Sequence, residues 1–365
     1  MFELLTQMNA DINRLLSDAL KVAVRKPAEM KFLSGFLKHA AGAQALREKH
    51  EAQGLHVPPF LIASITSNCN LFCAGCYARA NGEACAAPQG RPLEAARWSA
   101  LFREAKELGV TFILLAGGEP MLRPDVLREA AGCPEILFPV FTNGTLTDDA
   151  TLALMDAHRN LLPVISLEGG RQATDARRGA GVYDAVTRTM GELKRRGILF
   201  GVSVTVTKEN LGEVTDEAFV RSLKRQGCAL VFYVEYVPSD NQSAALAPDD
   251  AERALLKARA AWLKDKAKLL VICFPGDEEE YGGCLAAGRG FVHVNMDGSV
   301  EPCPFSPYSD TNLAEKPLGE ALRSPFLTRM RTGGLLEGGH AGGCVLYERR
   351  AEVERLLGEC QGGTA

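Results

Sequence analysis

The sequence predicts an α/β protein built around a partial (β/α)6, TIM-like barrel. Between residues 59 and 275, short apolar runs alternate with helix-like segments, a pattern typical of repeated β-α units and a parallel sheet. Residues 1–58 have helical periodicity, and residues 276–365 are rich in glycine and cysteine. We therefore expect three parts: an N-terminal helical segment, the barrel, and a small C-terminal α+β module.

Six apolar runs predict the strands of the barrel. They are Phe60–Ile65, Phe112–Leu115, Leu137–Phe141, Val164–Leu167, Phe200–Val206 and Leu230–Val237. Helices are predicted between them at Pro92–Leu108, Asp148–His158 and Val182–Arg196, the last ended by Gly197. Beyond the sixth run, residues 251–267 have helical periodicity and residues 269–273 are strand-like. In such barrels, functional groups lie in loops at the carboxyl ends of the strands.

The N-terminal segment contains two amphipathic helical patterns. Apolar residues recur at helical spacing from Leu4 to Ala23, and a second apolar cluster extends from Met30 to Leu37. One interpretation is a helical collar packed on the barrel. The alternative is contact with a membrane surface or an apolar substrate.

Composition and charge argue against a nucleic-acid-binding protein. The chain has 365 residues, 46% of them hydrophobic, and a formal net charge of -4, so it lacks the basic character that nucleic-acid binding usually requires. Neither a secretory signal pattern nor a run of about 18 apolar residues occurs. We expect a cytoplasmic protein in a reducing compartment, with several of its eleven cysteines serving as metal ligands.

Three cysteines directly after the first predicted strand are the most informative feature of the chain. Cys69, Cys73 and Cys76 have the spacing C-x3-C-x2-C on one short loop. Three thiolates can hold three corners of a 4Fe-4S cluster, which leaves one iron able to bind a substrate or cofactor. The alternatives are a structural zinc site, which needs a fourth ligand nearby, and three ordinary core cysteines.

This motif resembles that of the radical S-adenosylmethionine (radical SAM) superfamily. The resemblance implies that the open iron chelates SAM, and that an electron from the cluster splits SAM into methionine and a 5′-deoxyadenosyl radical. It also implies ferredoxin or flavodoxin as the electron donor and an anaerobic or microaerobic host. One difference is that many members carry an aromatic residue just before the third cysteine, whereas this chain has Gly75 there and Tyr77 just after.

Polar residues after the second and third strands resemble the SAM-binding segments of the family. Gly117 and Gly118 let the backbone approach a ligand closely, and the Glu119 carboxylate can accept a hydrogen bond from an ammonium group. This segment matches the one that binds the amino group of SAM in the family. Thr142 and Asn143 lie at the end of the third strand, where their polar groups are expected to face the same crevice.

The fourth strand and the segment after it supply three more candidates. Ser166 and Glu168 occupy alternate positions and should point to the same face, which suits hydrogen bonds to the ribose or carboxylate of SAM. Residues 175–179 resemble the family stretch D-x-x-R-G, whose arginine pairs with the SAM carboxylate. Arg178 matches this arginine because a glycine follows it, and Arg177 is the alternative. Further candidates, each of which could equally be a plain barrel-lining residue, are Ser203, Thr205, Glu235 and Tyr236.

The C-terminal cysteines resemble the start of an auxiliary cluster module. Cys284 and Cys303 form the pattern C-x13-G-x4-C, and a predicted β-hairpin over residues 291–300 would bring them together, with its turn at Asp297-Gly298. The arrangement resembles the opening of the SPASM and Twitch modules of the same superfamily, which hold auxiliary iron–sulfur clusters. The resemblance implies one auxiliary 4Fe-4S cluster, with Cys344 as its third protein ligand.

The fourth ligand of this auxiliary cluster is left open by the sequence. Cys360, His340, Cys273 and a bound substrate are the alternatives. Three cysteines and a histidine would also bind zinc tetrahedrally, so a zinc site is the alternative for the whole module.

The resemblance implies an enzyme that abstracts hydrogen from its substrate through the 5′-deoxyadenosyl radical. The expected reaction is an oxidative or cross-linking modification of a peptide or small molecule, and the amphipathic N-terminal helices give some support to a lipid substrate. The rival hypothesis is a non-catalytic iron–sulfur or zinc protein that acts as a binding or electron-transfer module. Under that hypothesis SAM would not bind.

Overall fold

The computed structural model of the protein describes residues 2–80, 91–238, 243–266, 269–274, 278–337 and 344–362. Among these residues, nine strands form one sheet. They are β1 (Phe60–Ser64), β2 (Phe112–Ala116), β3 (Phe138–Thr142), β4 (Leu161–Ser166), β5 (Gly201–Val206), β6 (Leu230–Glu235), β7 (Leu270–Phe274), β8 (Phe291–Val294) and β9 (Val300–Glu301).

Helices precede, connect and follow the strands. They are α1 (Phe2–Ala23), α2 (Pro27–Ala52), α3 (Tyr77–Ala80), α4 (Ala95–Leu108), α5 (Pro124–Ala131), α6 (Asp149–Ala157), α7 (Arg171–Arg178), α8 (Val182–Arg195), α9 (Leu211–Val214), α10 (Glu217–Arg225), α11 (Asp250–Lys266), α12 (Leu318–Ala321), α13 (Pro325–Thr332), α14 (Val345–Glu348) and α15 (Arg350–Gly362). Short 3-10 helices lie at Pro120–Leu122, Ser243–Leu246 and Glu278–Tyr281.

The sheet has the topology of a partial β/α barrel, as the sequence predicts. Its strand order is β7-β6-β5-β4-β3-β2-β1-β8-β9, and the six predicted strands are parallel neighbours in chain order. The strand-like residues 269–273 become β7, which adds a seventh parallel strand beside β6. Parallel strands place their carboxyl ends at one edge, so the loops after β1 to β6 meet there.

Capping residues begin and end the helices close to where the sequence predicts. The Asp148 side chain accepts a hydrogen bond from the backbone N–H of Thr151 (2.8 Å) and so caps α6. Gly197 follows α8 in the left-handed conformation (φ +67°), the role that the sequence predicts for it.

The N-terminal helices pack against the amino ends of the barrel strands. Leu16 of α1 and Phe36 of α2 belong to one buried cluster with Phe112, Leu162 and Leu230, which lie at or next to the first residues of β2, β4 and β6. This burial confirms the helical collar. Among the described residues, no helix combines the length and apolar character needed to cross a membrane.

The predicted hairpin is present as β8 and β9, and β8 also pairs with β1. Val294 lies opposite Val300 in the antiparallel pair, and Ile62 of β1 lies opposite His293 in the parallel pair. The buried His293 ring bridges the Ser64 hydroxyl (2.7 Å) and the Glu301 carboxylate (2.7 Å). The hairpin after the expected boundary near residue 275 therefore continues the barrel sheet. The three-part division of the chain stays a prediction.

Candidate active site

The three-cysteine loop follows β1 and is held at the carboxyl edge of the sheet from two sides. The backbone N–H of Ala74 donates to the carbonyl of Arg177 after β4 (2.9 Å). On the other side, the Asn143 side-chain amide donates to Asn70 Oδ1 (2.8 Å) and lies 4.0 Å from Cys69 Sγ. The segments after β3 and β4 thus fix the position of the cysteines.

Gly117 and Gly118 after β2 lie directly against the start of this loop. Gly117 has φ +122°, and a Cβ atom there would overlap the carbonyl oxygen of Thr66. A Cβ atom at Gly118 would overlap the carbonyl oxygen of Asn68. Both positions therefore require glycine for contact with the cysteine loop itself, in addition to the ligand approach that the sequence predicts.

The Glu119 carboxylate joins the loops after β2 and β3. It is 1% exposed and accepts hydrogen bonds from the Thr142 hydroxyl (2.7 Å) and the backbone N–H groups of Met121 (3.0 Å) and Asn143 (2.7 Å). Burial raises the pKa of Glu119, and these hydrogen bonds oppose the rise. A carboxylate has about four acceptor sites, so these three hydrogen bonds occupy most of them within the protein.

Glu168 organises two arginines beside the second cysteine. Its Oε1 accepts from Arg177 Nη1 (2.5 Å) and Arg178 Nε (2.8 Å). Arg178 Nη1 in turn lies 4.0 Å from Cys73 Sγ. Burial alone would lower the pKa of Arg178, but Glu168 and Cys73 raise it overall, so the guanidinium stays charged. Burial raises the pKa of the Cys73 thiol, and both arginines oppose that rise.

The cysteine loop opens onto a cavity of about 1470 Å³ that extends through the barrel to α1. Apolar side chains, among them Phe60, Phe141 and Phe232, line much of its wall. The predicted site residues that line it are Cys69, Cys73, Cys76, Gly117, Gly118, Asn143, Ser166 and Arg178.

Three predicted site residues lie behind the cavity wall. All three side chains are 1% exposed: Glu119, Thr142 and Glu168. Glu119 binds Asn143 and Glu168 binds Arg178, both of which line the cavity, and Thr142 binds Glu119. The sequence places Glu168 on one strand face with Ser166, but β4 ends at Ser166, and the Glu168 carboxylate turns to the two arginines. All four weaker candidates line the cavity: Ser203, Thr205, Glu235 and Tyr236.

Two of the three C-terminal cysteines, Cys284 and Cys303, are buried, and the third, Cys344, influences the pKa of both. Burial raises the pKa of Cys284 and Cys303 well above the ordinary range of a thiol. Cys344 adds to the rise of both pKa values, and Cys284 adds to that of Cys303. Burial raises the pKa of Cys344 to about 11. The buried Glu278 carboxylate acts on all three thiols, a neighbour that no sequence motif indicates.

The alternatives for a fourth auxiliary ligand lie in different places. Arg329 Nη1 donates to Cys360 Sγ (3.6 Å), and Cys273 lies on β7 opposite Tyr233. His340 lies outside the described residues. Among the side chains that the structure describes, no group of three or more His, Cys, Asp and Glu is arranged to hold a metal ion.

The residues around the cysteine loop fit a cluster that carries an amino-acid-type ligand. Three thiols on one loop suit iron, and the charged Arg178 beside Cys73 suits an anionic cluster and a ligand carboxylate. The close approach at Gly117 and Gly118 leaves backbone exposed to the same cavity.

Comparison with known proteins identifies the family from the sequence. Residues 63–220 match the model of the radical SAM superfamily. An AdoMet-dependent heme synthase from Methanosarcina barkeri is 28% identical over 72% of this chain and 81% of its own length. A PqqA peptide cyclase from Gluconobacter oxydans is 26% identical over 67% of this chain and 70% of its own length.

Solved structures share the fold. The crystal structure of Streptococcus suis SuiB bound to its precursor peptide SuiA superposes with a TM-score of 0.64 at 18% identity, and covers 84% of this chain and 76% of that one. The cysteine loop, the partial barrel and the family match agree, and residues 63–220 are therefore a radical SAM domain, of the superfamily whose enzymes use a 4Fe-4S cluster and S-adenosylmethionine.

Proposed function

We propose that Cys69, Cys73 and Cys76 hold the 4Fe-4S cluster, and that SAM binds between this loop and the ends of β2 to β4. When reduced, such a cluster supplies an electron that splits SAM, and the resulting 5′-deoxyadenosyl radical abstracts hydrogen from the substrate. The observation that carries the proposal is the single cavity that joins the three cysteines to Gly118 and Arg178.

Different residues of the chain bind the carboxylate and the amino group of SAM. Arg178, fixed by Glu168, presents Nη1 beside Cys73 and pairs with the SAM carboxylate. Gly117 and Gly118 provide backbone groups for the amino end, and Glu119 supports this end from behind the cavity wall by holding Asn143 in place. Asn143 and Ser166 complete the polar wall, with Thr142 holding Glu119 in place.

The volume and the apolar lining of the cavity favour a compact and largely apolar substrate. Binding sites for single small molecules have volumes of about 300–1,000 Å³. At about 1470 Å³, this cavity has room for SAM and for a second molecule of several hundred Å³ among Phe141, Phe232 and their neighbours. Because one relative is named a heme synthase, we propose a tetrapyrrole as the substrate class.

A peptide is the second candidate substrate. The relative named PqqA peptide cyclase supports it, since that protein is similar over 67% of this chain. A peptide would insert one side chain into the cavity past the cysteine loop. The lipid alternative loses its main support, because the apolar faces of α1 and α2 pack against the barrel.

The C-terminal module is proposed to hold one auxiliary 4Fe-4S cluster on Cys284, Cys303 and Cys344. The burial of Cys284 and Cys303, together with the electrostatic influence of Cys344 on both, supports this assignment. Glu278 joins Cys360, Cys273, His340 and a bound substrate as an alternative for the fourth ligand, because its carboxylate acts on all three thiols.

The electron is proposed to come from a ferredoxin or flavodoxin that docks at the cysteine loop. Phe72, which lies between the first two cysteines, is 72% exposed, and the Arg79 guanidinium lies 4.2 Å from its ring centroid. An exposed ring beside a cation is suited to an acidic partner with an apolar centre.

Binding of protoporphyrin IX to the cluster-loaded protein tests the substrate class. We expect quenching of porphyrin fluorescence on binding, and an affinity about tenfold weaker in Val234→Phe, because the added ring takes volume from the cavity. Leu255→Phe, which adds the same ring on exposed α11, is the matched control and should bind as the parent does. A loaded parent that does not bind the porphyrin would contradict the tetrapyrrole assignment and favour the peptide.

A further inference from the structure

Helix α11 exposes a row of apolar residues on the face where a surface helix normally carries polar side chains. All six are exposed in the part of the chain that the structure describes. They are Ala251, Ala254, Leu255, Ala258, Ala261 and Trp262. The opposite face of the helix buries Leu256 and Leu263 against the fold. A continuous row of this kind, unlike a single exposed side chain, indicates a surface that contacts a partner.

Basic residues flank the apolar row of α11. From residue 253 to residue 266 the helix carries five basic residues and one acidic residue, Asp265. At 3.6 residues per turn, Lys264 falls on one side of the row and Lys266 on the other, and both are exposed. The charge around the row therefore favours an anionic partner.

The end of α1 extends this surface. Val24, directly after α1, is 67% exposed, and the neighbouring Arg25 is also exposed. Ala23, the last residue of α1, belongs to a buried cluster on which Leu270 packs. Leu270 is the first residue of β7, and α11 ends four residues before it. The ends of α1 and α11 therefore lie together at the amino end of β7.

The large cavity reaches the surface between these two helix ends. Val24, Arg25, Ala261 and Lys264 line it, together with apolar side chains at the amino ends of the barrel strands. The cavity thus connects this surface with the interior of the barrel. We refer to Val24, Arg25, Trp262, Lys264 and Lys266 as the basic apolar patch.

We propose that the basic apolar patch docks on the surface of an anionic lipid bilayer. Val24 and Trp262 insert at the level of the headgroups, and the three cations lie against lipid phosphates. Apolar and aromatic side chains between lysines and arginines are typical of helices that lie in the membrane interface, and each cation near an anionic leaflet strengthens the binding.

The opening of the cavity within the patch favours a bilayer over an acidic protein. A bilayer dissolves apolar molecules, so a docked protein would exchange an apolar ligand with it through this opening. Docking of this kind requires neither the cluster nor SAM, and it goes beyond the proposed function.

Sedimentation of the cluster-loaded protein with lipid vesicles tests the proposal. Vesicles of phosphatidylcholine alone are compared with vesicles that also contain phosphatidylserine. We expect binding to the anionic vesicles only, weakened by salt. For Lys264→Glu the binding constant should fall at least about fivefold, because a cation at the surface is lost and an anion replaces it. Lys49→Glu makes the same charge change at an exposed position near the end of α2, and should bind as the parent does.

Trp262 reports which surface faces the bilayer, because the chain has two tryptophans and the other, Trp98, is buried. Brominated acyl chains in the anionic vesicles should quench the tryptophan emission of the parent. Trp262→Phe should still bind the vesicles and should lose this quenching.

Three outcomes would overturn the proposal. The first is no binding to anionic vesicles, and binding to polyglutamate that depends on Lys264 would then assign the patch to an acidic protein. The second is an equal loss of vesicle binding in Lys264→Glu and Lys49→Glu. The third is vesicle binding without quenching of Trp262, since another surface would then face the bilayer.

Discussion

Single residues around the cysteine loop carry more than one interaction each. Glu168 neutralises Arg177 and Arg178 from a position that is 1% exposed, and Gly118 accommodates the carbonyl of Asn68. A change at either residue therefore acts on the neighbouring loop as well as on the residue itself.

Glu168→Gln removes the charge that two partly buried arginines share. We expect the free energy of unfolding to fall by about 3 kcal/mol, because breaking a buried ion pair leaves uncompensated charge. Chemical denaturation of the apoprotein measures this. Asp184→Asn is the matched control, because its pair with Arg171 is exposed and should change stability little. Equal effects of the two variants would contradict the role given to Glu168.

Gly118→Ala is expected to disturb the cysteine loop. The new Cβ atom would overlap the backbone oxygen of Asn68, so the loop after β1 must move. We predict a loss of about half of the iron from the reconstituted protein, since only the cluster on this loop is affected. Gly191→Ala, inside α8 with open space around it, should keep the full iron content and gain up to about 1 kcal/mol of stability.

At the scale of elements, the sequence predicts the strands more accurately than it predicts the contacts between distant segments. The six apolar runs predict β1 to β6 because buried parallel strands need continuous apolar residues. The pairing of β8 with β1 joins segments about 230 residues apart, and no local pattern contains that information. The same limit applies to Tyr236 and Gly75, which come together only through the fold.

The collar formed by α1 and α2 is predicted to stabilise the barrel. Phe36 is 1% exposed and packs on Phe32 and on Phe112 at the start of β2, with ring centroids 5.6 and 6.1 Å away. Phe36→Ala should lower the free energy of unfolding by about 3 to 5 kcal/mol. Leu255→Ala, at an exposed position, should have a much smaller effect. A minor effect at Phe36 in solution would favour the membrane-contact interpretation of these helices.

For the whole molecule, the paired strands β1, β8 and β9 connect the segments that carry the two groups of cysteines. Ser64 leads from β1 into the loop of Cys69, and Glu301 of β9 lies two residues before Cys303. His293 joins Ser64 to Glu301 by two hydrogen bonds of 2.7 Å. The order of motifs in the sequence predicts both groups of cysteines, and the fold adds the physical connection between them.

The most direct test of the central claim is release of 5′-deoxyadenosine from SAM by the anaerobically reconstituted, dithionite-reduced protein, with iron counted in parallel. We predict release by the parent and by the control Cys133→Ala, and none by the Cys69→Ala/Cys73→Ala/Cys76→Ala variant. That variant should keep about four iron atoms on the auxiliary module. A fully iron-loaded parent that releases no 5′-deoxyadenosine would contradict the account and favour a non-catalytic iron–sulfur protein.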